Sequence, residues 1–94
     1  MISKVPIDIK KIKGKSLERE ALRIAIAAEF DAISLYEQLA AIVENKDIKD
    51  VLLDVAREEK THVGEFGALL LKYDDEQSEE LKKGRKEVEE IERV

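Results

Sequence analysis

Three side chains in this 94-residue sequence have the types and spacing of a metal site: Glu29, Glu59 and His62. Glu59-Lys60-Thr61-His62 puts a carboxylate and an imidazole one helical turn apart on a single face. Taken alone the pair is a poor signal, because with 15 Glu in 94 residues about one His in six would have Glu three positions earlier by chance. Its surroundings strengthen it. Leu22, Ala25, Glu29, Ala32, Tyr36, Leu39 and Val43 recur at alternating steps of three and four, as do Ile48, Leu52, Val55, Glu59, His62, Phe66, Leu69 and Tyr73. The ionisable residues therefore interrupt two otherwise apolar seams. A carboxylate there is costly unless a cation or a hydrogen-bonding partner compensates it. Oxygen and imidazole donors suit iron or manganese, with zinc and copper competing by affinity.

The elements that carry these residues follow from the same spacing. A first helix is expected at about 17–44, with Ser16 as N-cap and Glu18 and Glu20 in its first turn. Asn45 and Lys46 form a short turn, Asp47 caps a second helix at about 48–73, and Asp74-Asp75 ends it. A third helix at roughly 78–93 has a sparse seam of Leu81, Gly84, Val88 and Ile91 among Glu, Lys and Arg. A turn centred at 45.5 folds the two long helices antiparallel, which brings Glu29 level with His62 and places Glu59 one turn nearer the turn. The fold class is all-α: a helical hairpin at 16–94 with a short C-terminal helix, preceded at 1–15 by a basic arm of five Lys and one Asp.

Composition narrows the chemistry. With no Cys there is no thiol nucleophile, zinc knuckle, iron–sulfur cluster or rubredoxin-type site. Ser3, Ser16, Ser34 and Ser78 lie outside any nucleophile motif, and the four glycines form no phosphate loop. A net charge of −5 argues against a nucleic-acid partner, and no apolar run is long enough for a membrane span. The chain reads as cytoplasmic.

The ligand count bears on assembly. A di-iron bundle takes a Glu from each of two helices and a Glu-x-x-His from each of the other two. This chain supplies half of that set. A lone hairpin also exposes its seam, so a two-fold homodimer would both complete the site and cover the apolar face. The metal site is then shared between two chains.

At this point the residues resemble a known family. Glu29, Tyr36 seven residues on, and Glu59-x-x-His62 resemble the Glu, Tyr and Glu-x-x-His pattern of ferritin-like di-iron proteins. The single-hairpin form is similar to the encapsulated ferritins. The likeness is carried by Ala28-Glu29-Phe30-Asp31-Ala32-Ile33-Ser34-Leu35-Tyr36-Glu37-Gln38 and by Ala56-Arg57-Glu58-Glu59-Lys60-Thr61-His62-Val63-Gly64-Glu65-Phe66. It implies a ferroxidase that oxidises Fe(II) with dioxygen at a dimer interface, a pentamer of dimers forming a decamer ring, and housing in an encapsulin nanocompartment that stores the iron.

Within that reading Glu29, Glu59 and His62 hold two iron ions between two chains, with Mn, Zn or Ca as surrogates. Glu59 is the expected bridge, and Tyr36 acts from behind the ligands. Asp31, Glu37, Glu58 and Glu65 sit beside the seams in accessory or metal-access roles, or as solvated charge. Of the family's outer acidic pair only Asp31 matches, the other place being Ala28. The sequence through Glu92-Arg93-Val94 shows neither a short apolar targeting tail nor a join to a shell protein, so the mode of encapsulation stays open. Two competing readings are a peroxide-reducing, rubrerythrin-like oxidase and a non-enzymatic helical assembly module in which Glu29 fixes register.

Overall fold

The computed structural model describes residues 14–93, except the side chain of Lys15. The basic arm expected at 1–15 lies almost wholly outside the described residues. Three helices follow in order, α1 (Lys15–Ile42), α2 (Lys46–Tyr73) and α3 (Asp75–Glu92). There is no strand among the described residues.

The helix starts differ from expectation because other residues provide the caps. Ser16 does not cap α1: Gly14 occupies that place at φ 64°, a conformation that costs glycine little, and its carbonyl accepts from the Leu17 and Glu18 amides. Asp47 does not cap α2 either. The Asn45 side chain accepts from the Ile48 amide at 3.0 Å, which starts the helix two residues earlier and leaves Asp47 in its first turn, where the helix dipole favours an acid. The break before α3 shrinks to one residue. Asp74 leaves the helical region, and its carboxylate accepts from the Gln77 amide at 3.0 Å, so α3 begins at Asp75 rather than near 78.

Val43–Asn45 turns α2 back along α1, and the apolar seams meet. The sealed core is small: among the described residues only Ile33, Ala40, Ala56 and Leu70 are buried apolar side chains. Ile48, Val51, Leu69 and Tyr73 stay between 44% and 62% exposed, so much of the α2 apolar surface lacks a cover within the chain. The end opposite the connection is fastened by polar contacts. Arg19 Nε donates to the Tyr73 carbonyl at 2.9 Å, and Arg23 bridges Asp74 at 2.7 Å and Glu20 at 2.6 Å.

From that corner α3 projects away from the hairpin, giving extents of 46 × 45 × 20 Å. The radius of gyration is 16.8 Å, where a compact domain of this length has about 12 Å. No side chain of α3 is buried. Surface pairs such as Lys82–Glu79 and Lys83–Glu80 support it locally, as expected of a helix polar around most of its girth.

Candidate metal centre

Glu29 lies at the middle of α1, and Glu59 and His62 lie at the middle of α2. The antiparallel hairpin brings the three together at one height, the register expected from the sequence. His62 Nδ1 is 3.2 Å from Glu29 Oε2 and 3.4 Å from Glu59 Oε2. One ligand atom from each residue falls within 4.8 Å of the other two, the only such His/Cys/Asp/Glu cluster among the described residues.

The charges of the cluster leave room for a cation. Two carboxylates converge on one imidazole, whose Nδ1–H can serve as the shared donor. Even a protonated imidazole leaves one negative charge uncompensated where both acids are half-buried, each with 19% of its side chain exposed. Like charges at this range repel each other. His62 itself is 44% exposed, so the centre opens onto the uncovered apolar face. The donor set fits a ferrous or ferric ion: hard oxygens plus one nitrogen, on helices stiff enough to hold them.

The other expected site residues are not drawn in. Tyr36 is half-buried two turns along α1, about 10 Å toward the connection, and no hydrogen bond joins it to the three ligands. Glu37 pairs with Lys60 Nζ at 2.9 Å. Glu58 and Glu65 are exposed, and Asp31 is half-buried outside the cluster. The residues that sequence reasoning passed over are Arg19, Arg23 and Asp74, which lock the hairpin's open end. Their signal was weak: two Arg one turn apart on α1, facing the break between α2 and α3.

Asp74 is buried, and its carboxyl is held below the ordinary value of 3.8, first by the hydrogen bond from the Gln77 amide. The nearby Arg19 and Arg23 charges act in the same direction, and burial opposes them.

Residues 20–93 match the family profile described as Rubrerythrin. Over 93 residues the chain is 54% identical to a ferritin-like–encapsulin shell fusion protein of Pyrococcus furiosus, a match covering 97% of this chain and 27% of that protein. It is 36% identical over 73 residues to the encapsulin nanocompartment cargo protein EncC of Myxococcus xanthus, covering 78% of this chain and 55% of that one. The chain thus spans about a quarter and about half of the length of these two relatives. The crystal structure of the encapsulated ferritin domain from Pyrococcus furiosus superposes with a TM-score of 0.83 at 52% identity, covering 96% of this chain and 90% of that domain.

Proposed function

This chain belongs to the rubrerythrin family of ferritin-like proteins, and on that premise we propose that it is a di-iron ferroxidase whose centre is shared by two copies of the hairpin. The observation that carries the reading is the convergence of Glu29, Glu59 and His62 within 4.8 Å on the uncovered face of the hairpin. A second copy brings the other Glu and the other Glu-x-x-His, the full set for two ions.

Each residue then has a distinct task. Glu29 and Glu59 would hold the ions and supply the charge that favours the higher oxidation state of iron, with Glu59, beside His62, as the expected shared ligand. His62 faces the site through Nδ1, which leaves Nε2 to be fixed by an acceptor outside the ligand set. Fe(II) is the substrate. Two ions give up one electron each, and dioxygen with two protons leaves at the level of hydrogen peroxide. Tyr36 is assigned an outer role from its place in the motif, and Asp31, Glu37, Glu58 and Glu65 an accessory role in metal access.

Two relatives are named for encapsulin, one as a fusion with the shell and one as cargo. On that ground the chain is assigned an encapsulin partner, a place inside a cytoplasmic nanocompartment and a role in iron storage, with assembly of dimers into a decamer ring. Ferrous titration in air tests the activity: oxidation should be catalysed and should saturate near one metal per chain. No catalysed oxidation, with peroxide consumed by the reduced protein under anaerobic conditions, would instead favour the rubrerythrin-like oxidase.

A further inference from the structure

The geometry points to Asp74 as a latch that sets the angle at which α3 leaves the hairpin: one oxygen of its carboxylate holds α3 helical, the other ties that helix to α1, and the two tasks are separable. The inference does not depend on the metal reading of Glu29, Glu59 and His62.

α3 needs a latch because little else fixes its direction. It meets α2 at a single non-helical residue, Asp74 at φ −137° and ψ 90°, and none of its own side chains is buried. Its apolar row of Leu81, Val88 and Ile91 is 51%, 52% and 72% exposed, so apolar packing gives α3 little hold on the hairpin. The ion pairs Lys82–Glu79 and Lys83–Glu80 lie within the helix, and pairs of that kind support a helix without orienting it. A one-residue joint between two helices can turn about its φ and ψ while both helices stay intact.

Asp74 is placed to prevent that turning. It is the one buried polar side chain among the described residues. Its Oδ1 accepts from the Gln77 amide at 3.0 Å, which caps α3. Its Oδ2 accepts from Arg23 Nη2 at 2.7 Å, across 51 residues of chain. With both oxygens engaged, the carboxylate is fixed between the first turn of α3 and the flank of α1. Arg23 is itself steadied by Glu20, and Arg19 Nε donates to the Tyr73 carbonyl. Arg19 thus holds the last turn of α2, and Arg23 holds the start of α3. A charge-assisted bond to a buried carboxylate is stronger and more directional than the exposed pairs along α3.

Substitution takes the two tasks apart. Asp74→Asn keeps an oxygen for the Gln77 amide, and Asn caps helices about as well as Asp, but it puts an NH2 donor where Arg23 needs an acceptor. Arg23→Met removes the anchor from the other side and leaves the cap in place.

Distances between spin labels, measured by pulsed electron paramagnetic resonance, read the angle. The chain has no Cys of its own, so Gln38→Cys on α1 and Lys86→Cys on α3, both at exposed positions, take the labels without competition. Labelled chains are co-assembled with an excess of unlabelled ones, so that each measured distance lies within one chain. Residue 86 lies about 18 Å along α3 from the hinge, and a swing of about 20° moves it about 6 Å. The otherwise unaltered protein should give one narrow distance. Asp74→Asn and Arg23→Met should each shift and broaden it, with helical circular dichroism unchanged, and either variant decides the matter if the other does not fold. An unaltered narrow distance in a folded variant would overturn the latch. So would loss of the α3 share of the helical signal in both variants, since cap and anchor would then be inseparable.

Discussion

Replacing His62 by alanine removes the only nitrogen donor of the cluster, on a side chain that is 44% exposed in the single chain and outside the sealed core. His62→Ala should therefore keep its helical circular dichroism while ferrous oxidation falls by more than the 10–100-fold typical of losing an outer partner of a metal ligand. Unchanged oxidation would place the iron elsewhere. Glu29→Ala separates metal from structure more sharply. Without a cation, Glu29 and Glu59 crowd one imidazole, and a second copy doubles the number of acids. Relieving that repulsion should raise the melting temperature of the metal-free protein, and the gain on adding Fe(II) or Mn(II) should shrink. A register-fixing role predicts the reverse: a metal-free variant about 1–3 kcal/mol less stable, with the metal effect intact. These three residues were legible in the sequence because each interrupts an apolar seam at one height. Tyr36 was legible only as a motif position, since its spacing says nothing about which neighbour its hydroxyl reaches.

At the scale of the elements, the two long helices could be read from their three-and-four spacing, whereas their starts could not. Capping is decided by backbone angles at a single residue, and Ser16, Asn45, Asp47, Asp74 and Asp75 are all competent caps by type. The corner at Asp74 was unreadable for another reason: its partners Arg19 and Arg23 are more than 50 residues away, and only the folded hairpin brings them together. This corner gives α3 its direction and gives the protein an acid-sensitive element. The Asp74 pKa is lower folded than unfolded, so its stabilising contribution is fully present above the ordinary value of 3.8 and is lost as pH falls through the folded value. Thermal melts between pH 6 and about pH 3 should therefore show wild type losing more stability on acidification than Asp74→Asn. Parallel curves would mean that the Arg19–Arg23–Asp74 contacts carry no net stability.

For the whole molecule, the controlling quantity is apolar surface that one chain leaves uncovered. Four small or medium side chains form the sealed core, while Ile48, Val51, Leu69 and Tyr73 on the ligand face stay in contact with water. A domain this size is marginal even when compact, and this one is extended. Association and metal binding should then be coupled: ions bound only by the paired hairpins stabilise the pair by mass action, about 2.7 kcal/mol when free metal reaches 100 times its dissociation constant. Two signatures follow for the wild-type protein. Its melting temperature should rise with protein concentration, as it does when unfolding and dissociation are linked, and chelation should lower both that temperature and the weight-average mass measured by light scattering. The sequence points to this dependence through half a ligand set and an unsupported seam, and Ile48, Val51, Leu69 and Tyr73 are the exposed side chains that such association would cover. A well-folded monomer at micromolar concentration with metal bound, and with a melting temperature independent of concentration, would overturn the coupling and with it the shared centre.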